Sequence, residues 1–227
     1  MTTRRVRARR GEGPLLREEI LRAAEDLLAE SGTEDALTLR AVALRAGVST
    51  PSVYLHFADK EALVEAVCLR VWDELGRLFT ENLGGGDPFL ALGRCARAYA
   101  RFALDHPVQY RVLMMRPSAA PGVPPAAAEC FRHMVNAVAA CVETRVFEGD
   151  PEEVALGLWS AVHGCVSLLI AQPGFPWPRD REALINQIVR MAGFGTALYS
   201  RLPATIPPSR ELAADLDAFG ARLARER

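Results

Sequence analysis

The chain has 227 residues, half of them apolar and 24% charged, with a formal net charge of −1. That balance excludes a disordered chain, a collagen-like chain, a disulfide-dense mini-protein and a uniformly basic nucleic-acid coat. The length suits one large domain or two small ones, and either buries a real core.

Residues 1–10 carry Arg4, Arg5, Arg7, Arg9 and Arg10 with no acid. Such an end reads either as a solvated tail or as a basic arm for nucleic acid. Glu18, Glu19 and Arg22 then interrupt any apolar run of signal-peptide length, so a cytoplasmic protein is expected. Beyond that point helical periodicity dominates and alternating β-branched runs are nearly absent, which predicts an all-α fold.

The first helix is predicted from about Pro14 to Glu30, with Ile20, Ala23, Ala24, Leu27 and Leu28 on one apolar stripe and Gly32 as its stop. A short second helix starts after the N-cap Thr38 and ends at Gly47. Ser49 caps a third helix that runs to about His56, with Pro51 in its first turn, where a missing N–H is harmless. Asp59 caps a long fourth helix to about Leu83. Gly84-Gly85-Gly86 breaks the chain. Further helices are predicted at 87–105, 107–115, 126–148, 151–171 and 180–200, with a last short one at 209–225. The last shows Leu212, Leu216, Phe219 and Leu223 as a stripe in need of a partner surface. The expected organisation is a basic arm (1–13), a head (14–60), a helical body (61–202) and a C-terminal tail (203–227).

Five widely spaced cysteines without a C-x-x-C, and four histidines without a paired spacing, give no disulfide framework and no metal site. No cofactor is expected. Residues 154–172 lack formal charge over nearly a membrane span. Ser160, His163, Ser167 and Gln172 within it argue instead for a helix buried on several sides.

Two short helices joined through a glycine turn, 38–46 and 49–56, form a helix-turn-helix pattern. The second must enter the major groove of double-stranded DNA, so its exposed start should be short and polar. Thr50, Pro51 and Ser52 fit base readout. Val48 and Val53 supply the side that locks the helices together. Tyr54 and His56 reach backbone phosphates from the flank, and Lys60 adds a charge there. The arginine arm, Arg4 and Arg5 included, follows the backbone or enters the minor groove.

The stretch T-L-R-A-V-A-L-R-A-G-V-S-T-P-S-V-Y-L-H-F-A-D-K-E-A-L (38–63) resembles the DNA-binding domain of the tetracycline-repressor (TetR) family of bacterial regulators. The resemblance covers about residues 15–65. It implies a three-helix head in which Thr50, Pro51 and Ser52 read bases, Tyr54, His56 and Lys60 contact phosphate, and Thr38 caps its helix and touches phosphate too. L-W-S-A-V-H-G (158–164) resembles the C-terminal domain type named WHG, which implies a helical ligand-binding and dimerisation domain.

A head of this kind makes too few contacts alone. Two related by a dyad read a palindromic operator with half-sites about 34–36 Å apart, so a homodimer is expected. Gly157, Ala161, Gly164 and Leu168 on one helix, and Ile188, Phe194 and Leu198 on the next, are the candidate interface, with Gly193 and Gly195 allowing close approach. A small-molecule effector is expected to sit among Phe102, Tyr110, Met114 and Phe131, with Met134, Trp159 and His163. Each of these also reads as ordinary core; soft side chains suit either role. The expected mechanism is a repressor whose mostly apolar ligand shifts the long fourth helix. A regulator controlled by a protein partner or its own abundance is the alternative. An all-α enzyme is the third reading, but no nucleophile–base pair, carboxylate pair or phosphate loop supports it.

Overall fold

The structure is a computed structural model that describes residues 13–114, 123–199, 201–202, 205 and 207–225. Among the described residues there is no strand, and the helices are α1 (Gly13–Ser31), α2 (Leu39–Arg45), α3 (Thr50–Tyr54), α4 (Lys60–Leu83), α5 (Pro88–Asp105), α6 (Pro107–Met114), α7 (Pro125–Glu143), α8 (Pro151–Ala171), α9 (Arg181–Tyr199) and α10 (Ser209–Arg225). A single 3₁₀ turn over Glu34–Ala36, not predicted, links α1 to α2.

Local chemistry sets the starts. The side chains of Thr38, Ser49 and Asp59 accept from the N–H groups of Ala41, Ser52 and Ala62, as expected of N-caps. Asp87 and Asp150 cap α5 and α8 in the same way. α2 ends in a Schellman turn: Gly47 at φ +68° donates to Leu44, and Val48 donates to Ala43.

α7 stops at Glu143, not at residue 148. The reason is a second Schellman turn, with Arg145 in the left-handed position at φ 59°. The Arg145 N–H bonds the Val142 carbonyl and the Val146 N–H bonds that of Cys141. Arg201 then donates to the carbonyls of Arg145 and Val146, tying the end of α9 to the end of α7. The turn drops Phe147 into the core, fully buried.

Three apolar clusters organise the chain. The first joins α1, α2, α3 and the start of α4 through Ile20, Leu28, Val42, Val53 and Leu63, all at 0% exposure. It runs on to Val67, past the boundary expected at residue 60, and it also takes in Val108 and Val112 of α6. α6 touches the head elsewhere too, where Arg111 donates to the Gly32 carbonyl at the end of α1. The second cluster joins α4 from Val71 onward to α5, α6, α8 and α9. The third gathers Leu92, Val138, Cys141, Phe147 and Ala155.

α4 therefore spans head and body. Arg70 on it bridges Glu18 (2.7 Å) and Glu25 (2.9 Å) of α1. α10 packs little: Leu216 is exposed, Leu212 and Phe219 are half-buried, and the Leu223 side chain lies outside the described ones.

Candidate nucleic-acid interface and regulatory chamber

α2 and α3 are held by Val53, which is fully buried, and by half-buried Val48. Phe57 closes the underside and carries the Arg17 guanidinium over its ring at 5.0 Å. This packing turns the opposite side of α3 outward. Ser49, Pro51 and Tyr54 are exposed; Thr50, Ser52 and His56 are half-buried. Two of these residues have work inside the chain. The Ser49 and Ser52 hydroxyls lie 2.7 Å apart, so both take part in the cap. Lys60 donates to the Glu34 carbonyl at 3.2 Å and lies 3.8 Å from its carboxylate, which pins the 3₁₀ turn to α4.

The start of α4 carries the Asp59 and Glu61 carboxylates, so its N-terminus is not a bare anion site. Thr38 and Arg40 are exposed at the start of α2. Leu44 and Leu55, at 83% and 84% exposure, stand out from the ends of α2 and α3. The sequence reading did not single out Arg40 or either leucine, because an arginine or leucine on a short helix carries no spacing signal. Arg4 and Arg5 lie outside the described residues.

Two apolar cavities of the body share a wall. The wider, about 830 Å³, lies between α4, α7 and α8, with Met114, Phe131, Met134 and Trp159 in its wall as expected. The narrower, about 230 Å³, lies between α5, α8 and α9. Phe79, Tyr99, Met134 and Trp159 line both and form the partition between them. Phe102 lines neither: it packs in the second cluster and borders a polar groove near Glu25 and Arg70.

Tyr110 and His163 stand behind the partition rather than in a wall. Trp159 Nε1 donates to the Tyr99 hydroxyl (3.4 Å), which donates to the Tyr110 hydroxyl (3.3 Å). Tyr110 is 2.6 Å from His163 Nδ1 and 3.2 Å from the Ser167 hydroxyl. With Tyr110 donating to Nδ1, each member of the chain has a partner. Burial raises the pKa of both tyrosines and lowers that of His163, so the network is neutral. Tyr99 was not singled out from the sequence; its one signal was its place on the same helix as Phe102.

Burial also pushes the Cys95 thiol up to about 12 and the Cys130 and Cys141 thiols to about 11, which keeps them protonated. No group of three or more metal-ligating side chains occurs among the described residues.

The outer face of α8 and α9 is apolar and open. α8 is long and apolar enough to cross a membrane, yet only 22% of that stretch is buried in the single chain. Gly157, Ala161 and Leu168 are exposed and Gly164 is half-buried; Phe194 is exposed, with Ile188 and Leu198 half-buried. Gly157, Gly164 and Gly195 face open space. Gly193 does not: a Cβ there would meet the Phe89 ring at 3.3 Å, so this glycine serves the packing of α9 on α5.

Residues 20–67 match the family model described as bacterial regulatory proteins, tetR family. Residues 92–192 match the tetracyclin repressor-like C-terminal domain, a span that includes Trp159, His163 and Gly164. An uncharacterised HTH-type transcriptional regulator of Mycobacterium tuberculosis is 30% identical over 77% of this chain and 78% of its own length. An HTH-type transcriptional repressor of the same organism is 40% identical over 46% of this chain and 57% of its own. A solved structure of a protein of unknown function from Rhodococcus sp. RHA1 superposes with a TM-score of 0.67 at 25% identity, over 80% of this chain and 93% of that one.

Proposed function

The chain belongs to the tetR family of bacterial regulatory proteins, and from that premise we propose that it is a cytoplasmic, homodimeric repressor released from a palindromic operator by a small, mostly apolar ligand. DNA binding through the helix-turn-helix is the family's activity. Thr50, Pro51 and Ser52 are assigned to base readout; Thr38, Ser49, Tyr54, His56, Lys60 and the arginine arm are assigned to the backbone. The relative named as a repressor supports the sign of regulation.

The observation that carries the ligand-responsive part is the double membership of α6. Val108 and Val112 sit in the head's core, while Tyr110 between them is bonded to the partition of the two cavities. A ligand that displaces Tyr99 or Trp159 therefore moves α6, and α6 moves the head. The effect on DNA equals the ligand's preference for the incompetent state. The open apolar face of α8 and α9 supports a dimer, with a second copy rather than a bilayer covering it.

The test is selection of sites from random duplex DNA, followed by release assays on the enriched site with a library of apolar compounds. A palindrome with half-sites about 34–36 Å apart is the expected result. Enrichment of a single unpaired half-site would refute the dimeric reader. Thr50→Ala should weaken binding to the selected site by about 1–3 kcal/mol and leave the dimer intact.

One observation favours control by a protein partner: α10 is an amphipathic helix exposed along most of its length. Deleting residues 207–227 separates the two, since a ligand-responsive repressor keeps its response without them.

A further inference from the structure

The narrower cavity has an uneven wall. Apolar side chains make most of it, no carboxylate lines it, and two cations do: Arg97 of α5 and Arg190 of α9. Arg190 is exposed and Arg97 is half-buried. The Arg97 guanidinium folds back beside Gly93, one turn earlier, where a Cβ would lie 3.5 Å from Nη1, an ordinary contact. Arg97 acts on Glu182 of α9 at longer range. That carboxylate is already forked by Arg101 at 2.9 and 3.2 Å.

The rest of the wall is neutral. The Tyr99 hydroxyl receives the Trp159 N–H and donates inward to Tyr110, and burial keeps His163 uncharged behind it. A charged head placed against Tyr99 and Trp159 would meet no counter-charge and would compete with bonds already made. The arginines and the neutral wall thus select different parts of one ligand.

We propose that the narrower cavity binds an amphipathic anion, a medium-chain carboxylate whose head rests on Arg97 and Arg190 and whose chain lies along the apolar wall toward Tyr99 and Trp159. The guanidinium plane matches a carboxylate with paired hydrogen bonds, and charge-assisted bonds of this kind outweigh neutral ones. A ligand cation is repelled by the same pair. The proposal deepens the ligand-responsive reading and rests on it: pressure of the chain on the partition is what α6 would sense.

The test is titration calorimetry of the full-length protein with decanoate, decanol and decyltrimethylammonium, each below its micellar concentration. Decanoate should bind at least about tenfold tighter than decanol, with the ammonium compound weakest. That preference should shrink as salt is added. In Arg97→Gln and Arg190→Gln the ratio of decanoate to decanol affinity should fall toward one, and Arg97→Lys should keep part of it. Equal binding of decanoate and decanol by the unaltered protein overturns the anion assignment. So does a preference that survives both glutamine changes, or a failure of all three probes to bind. Release of the selected operator is measured separately. Release by neutral compounds alone leaves the ligand-responsive reading standing while the anion assignment falls. Arginine-dependent decanoate binding that never releases operator leaves the site standing and removes the regulatory reading.

Discussion

The head and the body of this chain bury apolar surface in different ways. In the head, Val42, Val53, Leu63 and Val64 are wholly excluded from water, and the head's core side chains line neither cavity. In the body, the second cluster is opened by two cavities and crossed by a chain of hydroxyl, indole and imidazole groups. A closed core holds one shape, which a surface that must match DNA requires. An opened core with a neutral polar seam is what the proposed ligand response requires.

The largest effect should come from the same truncation made in each region. Leu63→Ala should cost about 2–5 kcal/mol, because the head leaves no room to relax without a cavity. Leu158→Ala, in the wall of the narrower chamber, should cost only about 1 kcal/mol, since that side chain already borders a void. Urea unfolding of the two variants measures the difference, and equal costs would break the comparison.

Tyr110→Phe comes next. It leaves the Ser167 hydroxyl short of a partner beside a fully buried position and hands His163 Nδ1 to the Tyr99 hydroxyl alone, 3.0 Å away, at a cost of about 1–3 kcal/mol. The variant should still bind operator but lose most of its ligand response, as read by release of labelled DNA. Full release in the variant would remove Tyr110 from the coupling.

Arg145→Gly should act in the other direction. A left-handed residue with a side chain is held against its preference, so glycine should raise stability by about 0.5–1 kcal/mol in thermal unfolding. A loss of stability would show that the Arg145 side chain contributes more than its backbone costs.

The smallest effect is a slope. Burial lowers the His163 pKa below its ordinary 6.5, so as pH falls the unfolded chain takes the proton first. Stability is therefore full above about pH 6.5 and declines below it. His163→Asn should flatten that decline, and an unchanged slope would place the titrating group elsewhere.

What could be read in advance follows from the range of the forces involved. Thr38, Ser49 and Asp59 were legible as caps because a cap bonds an N–H two or three residues away. Pro51 and Gly47 were legible for the same reason, since each fixes its own backbone. The end of α7 was not, because the residue in the left-handed position is Arg145 and no glycine marked it. Met114, Phe131, Met134 and Trp159, named for their soft or aromatic side chains, line the wider cavity. Phe102 lines neither cavity, and Arg97 and Arg190 went unnoticed, because an arginine on a helix gives no sign of whether it faces solvent or a cavity. Which core Val108 and Val112 enter depends on packing across the chain, and local periodicity carries no record of it.

That placement of α6 bears on how the chain is made and how it can be rearranged. The head leaves the ribosome before the body, yet two of its core side chains arrive only after α4 and α5 have been synthesised. It is thus begun first and completed late. A nascent head carries an apolar notch where Val108 and Val112 belong, and so does a head cut out and grafted onto another body. Shuffling of such heads between regulators succeeds only if the new body brings a helix that fits the notch.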